Sequence, residues 1–298
     1  MPAASTPRVL ELYCGIGGCA AALGERARIA AALDINGVAL DVYRHNFAHP
    51  AATCALESLR AGDRRLHDAD LWWLSPPCQP YTRRGRGRDL DDPRSASLRH
   101  LVGLLATARP PAMALENVPQ FAGSRAHTLL RDALDRGGYE VAERLLCPTE
   151  LGVPNRRRRF YLVASRSGLA GWQPPVAVPR ALAAYLEPDD PPALRVPAEL
   201  LARYEHALDV VDAADPAAVA ATFTAAYGRS PVRAGSYLRR HGCVRRFAPV
   251  EVLRLLGFPA AYRLPAGLSP AQAWSLLGNS LSVPAVREVL GAVPALAS

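Results

Sequence analysis

The chain has 298 residues, of which 50% are hydrophobic, and a formal net charge of +8. This length and apolar content allow one large α/β domain with a small second domain, and they exclude global disorder. No apolar run is long enough to cross a bilayer, and the first residues lack the basic start and apolar core of a secretion signal. We therefore expect a cytoplasmic protein with no membrane partner.

Strands and helices alternate through the first 165 residues. The predicted strands are Arg8–Tyr13, Ile29–Leu33, Leu71–Leu74, Ala112–Leu115, Tyr139–Leu145 and Phe160–Ala164. The predicted helices are Cys19–Ala27, Leu40–Phe47, Leu98–Ala108 and Leu129–Arg136. This alternation predicts an α/β fold with a doubly wound, mostly parallel sheet of the Rossmann-like kind.

The composition and the periodicity of the chain change after this region. Residues 168–197 are rich in proline and alanine and show weak periodicity. Helical periodicity returns at Leu200–Val211, Pro249–Leu256 and Ala271–Leu277. We therefore expect a first domain at 1–166, a small second domain at 167–245, and a C-terminal segment at 246–298 that returns to the first domain.

The charged residues indicate a polyanionic partner. The sequence contains no lysine, so its basic side chains are all arginine, a choice that a GC-rich genome also favours. The arginines gather in three clusters, at Arg83, Arg84, Arg86 and Arg88, at Arg156 to Arg159, and at Arg239, Arg240, Arg245 and Arg246. Guanidinium groups bind phosphates bidentately, so nucleic acid is the expected partner, although any one cluster also fits a solvated surface.

The six cysteines are scattered and form no Cys-x-x-Cys pair. That spacing argues against a zinc site and against a disulfide framework, and it fits a reducing compartment. We therefore expect no metal.

A glycine loop follows the first predicted strand. Gly15-Ile16-Gly17-Gly18 precedes a helix, and Asp34 ends the next strand. In a nucleotide-binding crossover, the glycines let the ligand approach the backbone and the acid accepts from ribose hydroxyls. The spacing departs from G-x-G-x-x-G, which argues against a pyrophosphate ligand and leaves S-adenosylmethionine (AdoMet) as an alternative. A plain strand-to-helix turn also stays open.

Two further reactive groups come at strand ends. Cys78 follows Ser75-Pro76-Pro77, a stiff turn that fixes the direction of the thiol, and Glu116 ends the strand that begins at Ala112. Because ligands bind outside the carboxyl ends of the strands in an open α/β sheet, Asp34, Cys78 and Glu116 should face one crevice. A cysteine without such neighbours would be interpreted as a core residue.

The run of arginines after Asn155 leads into the last predicted strand. If that strand begins within the run, Arg157 and Arg159 point to the same face. Gly278-Asn279-Ser280, near the C-terminus, is by itself only a turn after a helix.

The order and content of these segments resemble the cytosine-C5 DNA methyltransferase family. The matching motifs are Glu11–Gly18, Pro76–Pro80, Glu116–Val118, Arg157-x-Arg159 and Gly278–Ser280, with Arg246–Pro249 and Leu256–Pro259 before the last of them. They are spread over nearly the whole chain outside about 167–245. The resemblance implies an AdoMet-dependent methyltransferase whose catalytic, AdoMet-binding domain is 1–166 and whose target-recognition domain is 167–245.

The resemblance also assigns roles to residues. Cys78 would add as a thiolate to C6 of cytosine, which makes C5 nucleophilic, and Glu116 would hold or protonate N3. Arg157 and Arg159 would orient the base through O2 and support Glu116. The residues similar to AdoMet contacts are Ile16, Gly17, Gly18, Asp34, Glu57, Asn279 and Ser280. The base that removes the C5 proton is not identified by sequence.

The cytosine must leave its stack to reach Cys78. We expect the segment 81–88 to close over the flipped base, with an inert surface loop as the alternative. The expected nucleic-acid contacts are Arg83, Arg84, Arg86, Arg88 and Tyr227.

Four segments resemble the family's RNA-methylating branch, the second DNA-methyltransferase homologue of eukaryotes, which methylates tRNA. They are Val9–Tyr13, Gln79–Arg86, Leu151–Asn155 and Phe223–Gly228. One departure is Thr222, which stands where that branch has a second cysteine. We therefore expect a monomeric enzyme that methylates tRNA. A DNA methyltransferase, stand-alone or of the restriction–modification type, and a non-catalytic nucleic-acid-binding homologue remain the alternatives.

Overall fold

A computed structural model of the chain describes residues 6–82, 87–172 and 177–297. The chain divides into two compact units, which are unit 1 (Met1–Leu146, Arg158–Gln173 and Val286–Ser298) and unit 2 (Cys147–Arg157 and Pro174–Ala285). These bounds differ from the predicted domains. Residues 147–157 belong to unit 2 because Asn155–Arg156 pairs with Ala220–Ala221. Of the segment predicted to return to the first domain, only Val286–Ser298 does so.

Unit 1 is built on a sheet of seven strands. They are β1 (Arg8–Leu12), β2 (Arg28–Asp34), β3 (Ala51–Thr53), β4 (Leu71–Leu74), β5 (Ala112–Asn117), β6 (Glu140–Leu146) and β7 (Arg159–Ser165). Their order is β3-β2-β1-β4-β5-β7-β6, and β7 runs antiparallel to both of its neighbours. The prediction of a doubly wound, mostly parallel, Rossmann-like α/β sheet is confirmed.

Helices connect the strands of unit 1. They are α1 (Gly18–Leu23), α2 (Gly37–Asn46), α3 (Arg64–His67), α4 (Ala96–Ala108) and α5 (Arg125–Arg136). Polar side chains start three of them, since Asn36 accepts from the Ala39 amide, Asp63 from the Arg65 amide and Ser124 from the His127 amide. The helix predicted to reach Ala27 ends at Leu23, because Gly24 leaves the helical conformation.

The strand register creates the edge on which the site is built. Leu12 pairs with Leu33 and with Leu74, and Leu74 pairs with Leu115. Four parallel strands therefore end side by side, and the residues that follow them along the chain emerge together. We call this row the carboxyl edge of the sheet. Leu71-Trp72-Trp73-Leu74 is buried along its whole length, as expected for a central strand with both faces covered.

Unit 2 contains shorter elements. They are β8 (Val210–Asp212), β9 (Tyr237–Arg240), β10 (Cys243–Arg246), α6 (Ala198–Arg203), α7 (Pro249–Leu255) and α8 (Pro270–Gly278). A further helix, α9 (Val283–Leu290), begins with residues assigned to unit 2 and ends with residues assigned to unit 1. The predicted helix Leu200–Val211 is wrong in its second half. The β-branched pair Val210-Val211 instead forms a strand beside Tyr237 and Leu238.

The third arginine cluster is largely structural. Arg245 is 2% exposed, and its guanidinium donates twice to Glu251 (2.8 and 2.7 Å) and once to Asp190 (2.6 Å). Arg240 donates to the carbonyl of Glu187 (2.6 Å). Because burial of an arginine requires paired acids and hydrogen bonds, these two side chains stabilise unit 2 and do not present charge to a polyanion.

Candidate active site

The glycine loop turns at the carboxyl edge, between β1 and α1. Gly17 adopts a left-handed conformation (φ 85°), and a Cβ at this position would lie 2.5 Å from Phe47 Cε2. Only glycine fits there, because the strain and the clash act together. The amides of Gly15 and Asn36 donate to the two carboxylate oxygens of Asp34, each at 2.8 Å. Asp34 therefore ties the glycine loop to the end of β2.

Cys78 lies three residues beyond Ser75 on the turn that follows β4. Ser75 Oγ donates to the Tyr13 carbonyl (2.9 Å), and Asn117 Nδ2 donates to the Pro76 carbonyl (3.1 Å). These bonds fix the Pro-Pro turn to the ends of the two neighbouring strands, β1 and β5. Cys78 itself is half-buried at the start of a short 3-10 turn. The turn thus presents the thiol from a backbone that is held on both sides.

A guanidinium lies close to this thiol. Asp92 holds Arg94 bidentately, with distances of 2.8 and 2.7 Å. The pKa of Arg94 is raised above its ordinary value, first by this hydrogen bond and, as a smaller cause, by the charge of Cys78. Arg94 therefore lies near enough to Cys78 for the two charges to interact. Neither composition nor spacing singled out Arg94.

Glu116 lies at the same edge and is paired with an arginine. Arg159 Nε lies 3.2 Å from Glu116 Oε1, and the two side chains are 14% and 11% exposed. Arg159 also donates to the Arg158 carbonyl (2.8 Å). β7 begins at Arg159 beside the end of β5, because Asn117 pairs with Phe160. The antiparallel strand therefore brings an arginine to a glutamate that lies 43 positions earlier in the chain.

Arg157 makes several hydrogen bonds within unit 2. Its side chain is 3% exposed and donates to the carbonyls of Phe223 (3.1 Å), Gly278 (3.2 Å) and Ser280. All of these residues belong to unit 2, whereas Arg159 and Glu116 belong to unit 1. β7 begins at Arg159, so strand alternation does not extend back to Arg157, and the shared orientation of Arg157 and Arg159 stays a prediction. Arg157 positions the Gly278–Ser280 turn.

Tyr227 is also misassigned by the sequence analysis. It is 1% exposed, its hydroxyl donates to the Ser236 carbonyl (2.7 Å), and the Phe247 amide donates to that hydroxyl (2.9 Å). A side chain enclosed in this way cannot contact nucleic acid. Phe223 packs edge-on against it, so Phe223 and Tyr227 both belong to the core of unit 2.

The remaining predicted residues are placed as follows. Ile16 is buried, Gly18 starts α1, and Glu57 is exposed on a short turn after β3. Glu57 lies near enough to Tyr13 to contribute to the raised pKa of that phenol, whose main cause is burial. Asn279 is exposed and Ser280 is buried, both in unit 2. Arg88 is exposed, whereas Arg83, Arg84 and Arg86 lie outside the described residues.

Two more side chains at this edge escaped the sequence analysis. Glu11 of β1 is fully buried, and burial raises its pKa to about 8, although the Tyr43 hydroxyl donates to it at 3.1 Å. Ile35, directly after Asp34, leaves 72% of its apolar surface exposed. An isoleucine within an Asp-Ile-Asn turn gives no signal in sequence, whereas exposure of a large apolar side chain in the structure does.

The described residues contain no cluster of metal-ligating side chains and no helix with both the length and the apolar character to span a bilayer. The fold and the site together define a Rossmann-like enzyme with a cysteine and a paired glutamate at one sheet edge. Residues 7–184 match the family model of the C-5 cytosine-specific DNA methylases. The chain belongs to this family and is a cytosine-C5 methyltransferase.

Individual relatives cover nearly the whole chain. The tRNA (cytosine(38)-C(5))-methyltransferase of Spodoptera frugiperda is 31% identical, over 95% of this chain and 98% of its own length. The solved structure of the S. pombe Dnmt2 methyltransferase is 29% identical with a TM-score of 0.84, over 95% of this chain and 96% of that one. A DNA (cytosine-5)-methyltransferase of Dictyostelium discoideum is 34% identical over 54% of this chain and 45% of its own length.

Proposed function

We propose that this enzyme transfers a methyl group from AdoMet to C5 of a cytosine in tRNA, through a covalent bond between Cys78 and C6 of the base. The observation that carries the proposal is the carboxyl edge of unit 1, where Cys78 on a fixed turn and the Glu116–Arg159 pair occupy the ends of adjacent strands. Such an edge is where open α/β sheets bind their ligands.

The residues at this edge fit AdoMet. Phe47 occupies the space that a Cβ on Gly17 would need, so this position carries no side chain. The proposed AdoMet site is therefore lined here by the backbone of the glycine loop. Each Asp34 oxygen accepts one amide and keeps a second lone pair for a ribose hydroxyl. Ile35 offers an exposed apolar surface to an adenine ring. Ile16, Gly18 and Glu57 extend the proposed set in unit 1, and the family resemblance alone adds Asn279 and Ser280. When bound, AdoMet supplies an electrophilic methyl group on a sulfonium.

Cys78 begins the chemistry as a thiolate, the form that nucleophilic attack requires. Its sulfur forms a bond to C6 of a flipped cytosine, and the electron pair of the C5–C6 double bond moves into the ring. C5 becomes nucleophilic and accepts the methyl group. Loss of the C5 proton and departure of the Cys78 sulfur then restore the double bond. Covalent catalysis divides one difficult substitution into two easier steps.

Glu116 acts on the other side of the ring. It holds or protonates N3, which stabilises the negative charge that the addition of sulfur creates. Arg159 keeps the Glu116 carboxyl in place through the 3.2 Å contact and can reach O2 of the same base. Arg157 contributes indirectly by holding the Gly278–Ser280 turn.

One observation favours tRNA as the substrate, and the net charge favours nucleic acid in general. Relatives that match over 95% of the chain are named for cytosine 38 of tRNA, and we propose the same target here. The surplus of arginine, with a net charge of +8, suits a nucleic-acid backbone. DNA is the second candidate, because the Dictyostelium relative is named for DNA methylation.

The test is a comparison of substrates with labelled AdoMet. Total tRNA and genomic DNA are offered separately, with the Cys78→Ala variant as control, and bisulfite sequencing then locates the product. The proposal predicts label in tRNA at cytosine 38 and none with the variant. Label in DNA alone would reject tRNA as the substrate, and activity of the variant would reject the mechanism.

A further inference from the structure

A groove lies between α4 and α5 of unit 1, on a surface that the catalytic chemistry does not use. Its volume is about 340 Å³. The floor is formed by Val102, Leu105 and Leu129 and by small residues that let the two helices leave a channel between them, namely Gly103, Ala106, Ala133 and Gly137.

Three arginines border this groove, at Arg99, Arg109 and Arg136, and all three are exposed. Arg109 Nη2 makes a long contact of 3.4 Å with the Gly137 carbonyl, which leaves its charge uncompensated. Within the described residues, no carboxylate lies at ion-pair distance from any of the three. Elsewhere in unit 1 exposed arginines do pair, as Arg125 does with Asp91 at 2.8 Å. The groove therefore keeps a concentrated positive charge.

The groove starts near the carboxyl edge and leads away from it. Both helices connect parallel strands, so they run back from that edge toward the opposite one. Arg99 is in the first turn of α4, close to Ser97, whose hydroxyl accepts from Tyr13 at the end of β1 (2.9 Å). Arg109 and Arg136 end the two helices. At 1.5 Å per residue, the cations span about 15 Å along α4.

We propose that this groove, which we call the α4–α5 arginine groove, binds the sugar–phosphate backbone of the RNA substrate at a distance from the target cytosine. The proposal rests on the proposed function. Three arginines without an ion-pair partner among the described residues, along a groove that leads from the catalytic edge, complement an extended polyanion. An acidic protein partner is the competing occupant, and the test separates the two.

The experiment measures tRNA binding by the full chain as a function of salt concentration. Arg99→Gln/Arg136→Gln removes two cations from the groove. The matched control, Arg28→Gln/Arg64→Gln, removes two exposed cations from the start of β2 and from α3. Each phosphate contact adds about 0.9 to the slope of the logarithm of the binding constant against the logarithm of salt concentration. At 0.15 M salt, the loss of one contact therefore weakens binding about five-fold. The groove variant should therefore bind tRNA about thirty-fold more weakly, with a slope lower by about 1.8.

The groove variant should keep the wild-type kcat at saturating tRNA and the wild-type affinity for AdoMet, whereas the control should keep the wild-type salt slope. A groove variant whose Kd and slope equal those of the control overturns the proposal, and this is also the result expected if the groove binds an acidic protein. Failure of the proposed function looks different, since the wild-type enzyme itself would then transfer no methyl group to tRNA.

Discussion

Asn117 holds the turn that carries Cys78, and its replacement tests whether this hydrogen bonding affects the rate of methyl transfer. Asn117 Nδ2 donates to the Pro76 carbonyl (3.1 Å), and Asn117 Oδ1 accepts from the Val118 amide (2.8 Å). Asn117 is 1% exposed, so Asn117→Ala leaves two buried polar groups without these partners. Each such group costs about 1–3 kcal/mol, and we expect the free energy of unfolding to fall by about 2–6 kcal/mol.

The effect on catalysis should exceed this general loss, because the Pro76 carbonyl anchors the turn that carries Cys78. A misplacement of about 1 Å at a reacting atom costs on the order of 100-fold in rate. Single-turnover methyl transfer at a temperature where both proteins are folded measures this cost. Ser236→Ala is the matched control, since buried Ser236 accepts from the Ala221 amide and donates to Asp209 in unit 2. If Asn117→Ala transfers methyl groups as fast as this control, the anchoring role is refuted.

Two further predictions concern stability. Because Glu11 has a pKa of about 8 in the folded chain and an ordinary value of 4.5, the folded state keeps a proton that the unfolded state has lost between these values. The free energy of unfolding should therefore fall as pH rises through this window, by up to about 1.4 kcal/mol per pH unit. Urea denaturation at several pH values should show this fall in the wild-type protein and not in Glu11→Gln. The same dependence of unfolding free energy on pH in both proteins would contradict the prediction. Tyr227→Phe should lower stability by about 1–3 kcal/mol, seen in the same denaturation assay, and leave the Kd for tRNA unchanged, whereas a weakened Kd would restore Tyr227 as a nucleic-acid contact.

The layout of the site could be predicted from sequence because it depends on buried strands. Leu71–Leu74 is apolar throughout, and acids or the Pro-Pro-Cys turn mark where neighbouring strands end. Parallel pairing then requires Asp34, Cys78 and Glu116 to emerge at one edge, and the register confirms that their strands end side by side. Short sequence motifs were sufficient to place those site residues whose position is fixed by the ends of the strands.

Sequence failed where side chains reach residues that are distant along the chain. Sequence gave no sign that Arg157 hydrogen bonds to carbonyls 66 to 123 residues away. Tyr227 was expected to contact nucleic acid, whereas two hydrogen bonds satisfy its hydroxyl inside unit 2. Periodicity shows that α7 and α8 have apolar faces, but it does not show against which unit those faces pack.

The Cys78–C6 bond can be observed directly with a tRNA that carries 5-fluorocytosine at the target position, because fluorine blocks loss of the group at C5 and traps the adduct. Incubation with AdoMet, digestion and mass spectrometry of the cross-linked peptide identify the attached residue. The account predicts a covalent adduct on Cys78 in the wild-type enzyme and none in Cys78→Ala. An adduct on any other cysteine, or methyl transfer to unmodified tRNA with no trapped species at Cys78, would contradict it.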